Sequence, residues 1–283
     1  MIIDTHLHPI SDNPQQYPID PIGGVLGEWA RDVTATDTEL MAHLAKAGVD
    51  KAVLVHASTV YGYDNRYVAD CVAAHPDKFE GVGSIDALAP DAPDTLTYLI
   101  KQQKMAGVRL FASASTIAAV DWVDSHQLDP YWKRTIELGV SVCAQLTREQ
   151  IPAIRRVIDR FPDLVLVLDH MAGPNVKDGP PYAGTEAFFE LAAIPTVYLK
   201  ITTNNIQSAQ SAKGGAQDWF RLVVDRFGPN RLMWGSNFPN SKGSPNGYFT
   251  DLVDLARNTF AFLTPTERDA ILGGTAAKLY GMG

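Results

Sequence analysis

The chain begins Met1-Ile2-Ile3-Asp4-Thr5-His6-Leu7-His8-Pro9, a short β-rich run closed by a proline. Successive side chains of a strand point to opposite faces, so Asp4, His6 and His8 are expected to form one row and Ile3, Thr5 and Leu7 the other. A polar row inside a protein is costly unless its groups are paired or used. If this row faces the interior of a barrel, both imidazoles reach its mouth. The plainer reading of the same residues is a hydrogen-bonded histidine pair at a strand end.

Seven further apolar, β-rich runs follow: Ala52 to Ala57, Phe79 to Asp86, Gly107 to Phe111, Val140 to Leu146, Leu164 to His170, Thr196 to Thr202 and Leu232 to Asn237. Between most of them lie helix-length stretches with apolar residues three or four apart, such as Glu39 to Ala47, Asn65 to His75 and Glu149 to Phe161. Thr36, three residues before Glu39, fits a capping box at the start of the first. Strands alternating with helices predict parallel crossovers, and closure into a (β/α)8 TIM barrel leaves no edge strand exposed. A doubly wound open sheet is the alternative. The 283 residues suit one domain, 1–283. Long loops are expected at Pro9 to Val33, Asn204 to Gly215 and Pro239 to Gly247, after strands one, seven and eight, at the face where barrels place their chemistry. The first is rich in Pro, Gly and Asp and could cover the site.

A formal charge of -8 argues against nucleic acid or an anionic membrane surface as partner, because both need clustered Lys and Arg. A small molecule is the expected partner, and a homo-oligomer is possible. Cys71 and Cys143, the two cysteines, stand in no metal-type spacing and read as reduced core residues. There is no basic N-terminal region with a long apolar run and no stretch of roughly 18 apolar residues, so a soluble cytoplasmic protein is expected.

His170 ends the sixth run and is followed at once by the turn-like Met171-Ala172-Gly173-Pro174. Asp169, of opposite strand parity, is expected to face the helices or to support His170 as a hydrogen-bond partner. Asn237 ends the eighth run in Trp234-Gly235-Ser236-Asn237-Phe238-Pro239; it can donate and accept hydrogen bonds but cannot act as a general base. Arg109 and Lys200 sit within apolar strands, where an unpaired charge is expensive, and so predict anionic partners. Those partners are an acidic substrate, gripped by Arg109 and oriented by Lys200, or an internal carboxylate such as Asp86 or Asp4. His56, Tyr61 and Trp29 are further candidates for the mouth. His43, His75 and His126 read as surface groups.

The runs Asp4-Thr5-His6-Leu7-His8, Val167-Leu168-Asp169-His170-Met171-Ala172-Gly173-Pro174 and Met233-Trp234-Gly235-Ser236-Asn237-Phe238-Pro239 resemble the amidohydrolase-related branch that contains sugar lactonases, 2-pyrone-4,6-dicarboxylate lactonase and the amino-carboxymuconate-semialdehyde decarboxylase relatives. Ala106-Gly107-Val108-Arg109-Leu110-Phe111, the segment Tyr61 to Asn65 and Phe161 to His170 resemble the lactonases in particular, and the similarity spans nearly the whole chain. The resemblance implies that His6, His8 and His170 belong to the site, where in metal-dependent relatives they hold a divalent ion, usually zinc. It also implies an Asp at the end of strand eight, where this chain has Asn237, and in many relatives a fifth-strand His, where this chain has Gln145. Three neutral imidazoles alone can hold zinc and bring its bound water to a pKa of about 7; equally, His and Arg can contact a lactone carbonyl directly. The expected activity is hydrolysis of a small carboxylated or polyhydroxylated lactone, with His170, Asn237 and Arg109 catalytic. The alternatives are a metal-dependent nonoxidative decarboxylase and a ligand-binding barrel that has lost catalysis.

Overall fold

The protein is described from a computed structural model over residues 1–112, 122–241 and 248–283. Eight strands, β1 (Ile3–Leu7), β2 (Lys51–Val55), β3 (Phe79–Ser84), β4 (Gly107–Phe111), β5 (Ser141–Gln145), β6 (Leu166–Leu168), β7 (Val197–Thr202) and β8 (Leu232–Gly235), pair in parallel in chain order. Past the end of β8, Asn237 N donates to His6 O and His8 N to Phe238 O, both at 2.9 Å, closing the sheet onto β1. The expected (β/α)8 barrel is therefore the fold, rather than an open sheet.

The principal helices are α1 (Asp37–Ala47), α2 (Ser58–Tyr61), α3 (Arg66–Ala74), α4 (Ala92–Lys101), α5 (Asp129–Leu138), α6 (Ile151–Arg160), α7 (Glu186–Glu190), α8 (Thr203–Gln210), α9 (Gly215–Phe227), α10 (Phe249–Thr259), α11 (Pro265–Asp269) and α12 (Thr275–Leu279). Helix α1 starts where expected: Thr36 Oγ1 accepts from Glu39 N while Glu39 accepts from Thr36 N. In α6, Ile151, Ile154, Val157 and Ile158 fall on one face and are buried, each contributing roughly 1.5–3 kcal/mol, and the helix stops just before Pro162.

Two apolar layers result. The outer one, between strands and helices, takes Leu7, Leu54, Val108, Ala144, Leu168 and Trp234; the inner one takes Ile3, Val53, Val55, Val82, Cys143, Val167 and Met233. Tyr280 and Met282 belong to the inner layer: the Tyr280 hydroxyl lies 3.4 Å from Cys143 Sγ, and Lys51 Nζ donates to Met282 O at 2.9 Å. The chain end thus packs against the barrel interior.

The first strand departs from simple alternation. Asp4 pairs with Ala52 but Leu7 with Leu54, so three residues of β1 span two of β2. This bulge explains how Ile3 and His6 both face inward while Leu7 faces the helices. Asp4 therefore does not share a row with His6 and His8. Its carboxylate turns back between β1 and β8, accepting from His6 N and Ser236 N at 2.9 Å each.

The loop from Pro9 to Val33 carries two single turns, Ile22–Gly24 and Glu28–Ala30, and is pinned at its start by an antiparallel bridge between Ile10 and Ala35. The segment expected to be a loop after β7 is instead α8 through Gln210. Of the expected loop at 239–247, the part from 242 lies outside the described residues. Among the described residues no helix is long and apolar enough to cross a membrane.

Candidate active site

His6, His8, His170 and Asn237 meet at the C-terminal ends of β1, β6 and β8. The His6 ring is 4.8 Å, centroid to centroid, from both His8 and His170. Gly235 lets β8 lie close against His6: a Cβ there would lie 2.6 Å from His6 Cβ and 3.0 Å from its backbone nitrogen. Both side-chain polar atoms of Asn237 are buried without a partner among the described residues, although its backbone is held at both ends, to His6 O and from Ser241 N. A buried amide with no partner has donor and acceptor capacity to spare.

His170 enters the site by a route that strand parity does not describe. Val167 faces inward, so Asp169, two residues on, faces inward too, and His170 would point to the helices. Instead the chain turns left-handed at His170 (φ 54°), Met171 (φ 56°) and Ala172 (φ 55°), which swings the imidazole back to the mouth. Left-handed geometry costs these residues roughly 1–2 kcal/mol each. Hydrogen bonds to His170 O from Gly173 N and Asn205 Nδ2, both 2.9 Å, hold the turn.

The same geometry corrects the expectation for Asp169, which lies inside the barrel and not against the helices. Its Oδ1 is 3.2 Å from Lys200 Nζ and 3.5 Å from His6 Nδ1, and its Oδ2 accepts from Arg109 Nε at 3.1 Å. Burial alone would raise its pKa, but Lys200, His6 and Arg109 together hold the carboxyl well below the ordinary range. Lys200 is held up in turn: burial works against its charge, and Asp169 more than compensates. The anionic partner that the strand cations require is thus Asp169, and neither Asp86 nor Asp4. Lys200 is fully buried, with Cys143 Sγ 3.4 Å away. The Arg109 guanidinium is also committed, to Asp169, to Gln145 Oε1 and to His56 O. Its hydrogen-bonding edges are thus occupied before any substrate arrives, although the single carboxylate of Asp169 faces two cations and leaves the cluster with a net positive charge.

Burial keeps the imidazoles neutral. His8 is lowered to about 3, His170 to about 4, and His6 well below its ordinary value. In His8, Nδ1 lies 2.8 Å from Val55 O, which only accepts, so Nδ1 carries the proton and Nε2 the lone pair. His170 Nδ1 lies 2.8 Å from Thr202 Oγ1. Nδ1 turned to a protein oxygen is the arrangement that metal-binding histidines adopt, so the donor chemistry suits a divalent ion. The disposition does not: among the described residues no group of three or more His, Cys, Asp or Glu side chains stands arranged to hold a metal ion. Binding one requires the rings to turn.

The remaining candidates divide. Trp29, from the first loop, lies over His8 with ring centroids 5.4 Å apart. His56 Nε2 is 2.9 Å from Gly62 O, and Tyr61 accepts from Ser11 N at 2.9 Å; both tie loops together, and Tyr61 lines a separate cavity with Ile10 and Tyr17. His75 pairs with Asp37 and His126 with Asp129. His43, expected on the surface, is half-buried between the rings of Phe238 and Phe249. Beside His170 opens a cavity of about 360 Å³ whose polar lining is neutral: Gln145, Asn204, Asn205, Ser208 and Asn240. Thr202 and Asn205 were not anticipated, although Thr202 and the Asn three residues later carry the signature of a helix cap.

Comparison with known proteins gives this geometry a family. The chain is 30% identical over 255 residues to L-fucono-1,5-lactonase of Burkholderia ambifaria, covering 88% of this chain and 86% of the relative. It is 26% identical over 216 residues to 2-pyrone-4,6-dicarboxylate hydrolase of Comamonas testosteroni, covering 73% and 68%. In fold it matches a zinc-bound amidohydrolase from Burkholderia multivorans with a TM-score of 0.79 at 20% identity, over the full length of both chains. The amidohydrolase family model matches residues 3–282, so the strands that carry His6, His8, His170 and Asn237 all lie within it, and the chain belongs to the amidohydrolase family.

Proposed function

We propose that this protein hydrolyses a small lactone, with a polyhydroxylated, uncharged ring favoured over a carboxylated one. The observation that carries the reading is the Asn237 amide, buried without a partner among the described residues on a backbone bonded to His6, whose ring packs against those of His8 and His170. The named activities of the relatives from Burkholderia ambifaria and Comamonas testosteroni support lactone opening. The neutral lining of the cavity beside His170, and the prior commitment of Arg109 and Lys200 to Asp169, support hydroxyl groups as the recognised feature.

In this reading the lactone carbonyl lies between Asn237 and His170. Asn237 Nδ2 donates to the oxygen as negative charge develops on it, which is worth most in a buried site. The unprotonated His170 Nε2 takes a proton from the attacking water; the ring C–O bond then breaks, and that proton passes to the departing alkoxide. The products are one hydroxyl and one carboxylic acid, which ionises and acidifies the medium. Arg109, held behind the cavity-lining Gln145, contributes part of the net positive charge of the Asp169 cluster. In the metal-bound alternative His6, His8 and His170 would hold a divalent ion, zinc as in the Burkholderia multivorans relative, after their rings turn, and His170 Nε2, its lone pair then taken, would not serve as the base. Such an ion supplies a Lewis acid for the carbonyl.

The test is acid release on a panel of neutral aldonolactones and carboxylated lactones, run before and after chelation, with metal content measured on the same preparation. Turnover of the neutral lactones above the carboxylated ones is expected. Absence of acid release across the panel, or carbon dioxide evolution from hydroxy acids instead, overturns the reading.

A further inference from the structure

Helix α8 begins with a cap that reaches into the site. Thr202 N donates to Asn205 Oδ1 at 2.9 Å, and Thr202 Oγ1 lies 3.0 Å from the same oxygen. A backbone N–H can only donate, so the atom facing it is the amide oxygen. The other amide atom, Nδ2, faces His170 O at 2.9 Å, an acceptor only. The orientation of the Asn205 amide is therefore fixed from both sides.

The Thr202 hydroxyl has a single hydrogen; its oxygen accepts from Asn205 N in the helix cap, which leaves one lone pair and that hydrogen for two further neighbours, Asn205 Oδ1 at 3.0 Å and His170 Nδ1 at 2.8 Å. The amide oxygen can only accept. Sending the hydrogen to Nδ1 would leave two acceptors facing each other; sending it to Oδ1 lets the hydroxyl oxygen accept from Nδ1–H, and both contacts become hydrogen bonds. From this we infer that Thr202 and Asn205 are positioning residues that fix the tautomer of His170, placing its proton on Nδ1 and its lone pair on Nε2. Asn205 serves the same residue twice, because its Nδ2 also holds the left-handed turn that swings the ring inward. The tautomer stands on this hydrogen-bond count alone; its effect on rate rests on the proposed role of His170 in lactone opening.

The experiment is imidazole ¹⁵N NMR on the full chain, as purified and after dialysis against a chelator, because an ion on Nε2 would itself enforce the same tautomer. The His170 signals are identified by their loss in His170→Gln. The expected wild-type result is a protonated Nδ1 and an unprotonated Nε2 in both samples. Thr202→Val is expected to populate the Nε2–H form and to lower kcat about 10- to 100-fold, with KM within about threefold, and Thr202→Ser to restore both. A wild-type Nε2–H tautomer overturns the inference whether or not any variant folds. So does a folded Thr202→Val protein that keeps the wild-type tautomer. A tautomer that moves while kcat stays put supports the inference and counts against the proposed role of His170 instead.

Discussion

Replacing Asp169 by Asn keeps the shape of the side chain and removes the one carboxylate that, among the described residues, pairs with Lys200, Arg109 and His6 inside the barrel. Breaking a buried pair by removing one partner costs about 3–5 kcal/mol, because the other charge is left uncompensated. An independent bound comes from Lys200, which can relieve its own desolvation by losing its proton. From an ordinary pKa of about 10.4, being neutral at pH 7 costs about 4.6 kcal/mol, at 1.36 kcal/mol per unit. The two figures agree, and for a chain of this length they correspond to a fall of roughly 5–8 °C in the midpoint, at about 2.1 cal/mol/K per residue.

The pH dependence identifies the cause. A lysine whose folded pKa is depressed contributes its full stability above the unfolded value and loses it as pH falls, so the deficit of Asp169→Asn should shrink by up to about 1.4 kcal/mol per unit from pH 7 toward 10. Adding Lys200→Met to Asp169→Asn should recover part of the loss. Urea unfolding of the variants at pH 7 and 9 supplies the numbers. A loss below about 1 kcal/mol, or a deficit independent of pH, refutes an essential role for the Asp169 cluster.

Acid should weaken the fold well above the carboxylate range. Burial lowers His8 to about 3 and His56 and His170 to about 4, so below about pH 6.5 the unfolded chain gains protons that the folded one refuses, at about 1.4 kcal/mol per unit for each group. By pH 5 the three amount to at most about 6 kcal/mol, of which Asp4, raised by burial to about 6, returns about 1.4 because its sign is opposite. Equal urea midpoints at pH 7 and 5 would contradict this. Gly235→Ala places a methyl group 2.6 Å from His6 Cβ and should cost about 1–3 kcal/mol and most of the activity; calorimetry and acid release on the same sample check both. Gln145→Ala frees one edge of the Arg109 guanidinium toward the cavity and should raise kcat/KM for carboxylated lactones relative to neutral ones, about tenfold for one recovered ionic hydrogen bond. An unchanged ratio would show that Gln145 does not shield the charge.

The barrel was legible because alternating strand and helix periods are local signals repeated along the chain, and the cap at Thr36 and Glu39 appears as read. What escaped the sequence lies where the backbone leaves its period. The bulge in β1 moves Asp4 out of the histidine row. Three successive left-handed residues bring His170 to the mouth although Asp169, next to it, already faces inward in step with Val167, and none of His170, Met171 and Ala172 advertises that conformation as a glycine would. The partner of Arg109 and Lys200 depended on which way Asp169 points: once it faces inward, it is the nearest carboxylate to both. Helix α8 was read as a loop because Asn204, Asn205, Gln207 and Ser208 lack an apolar period, although its cap was written in Thr202 and Asn205.

The central claim is that the mouth formed by His6, His8, His170 and Asn237 adds water across a lactone carbonyl. Turnover of a neutral aldonolactone in ¹⁸O-labelled water, followed by mass spectrometry for the wild type and for a folded His170→Asn variant, tests it most directly. The account predicts one ¹⁸O in the product carboxyl group, no carbon dioxide, and no enzymatic incorporation by the variant. Wild-type incorporation no faster than the spontaneous reaction, or equal incorporation by the variant, would contradict it.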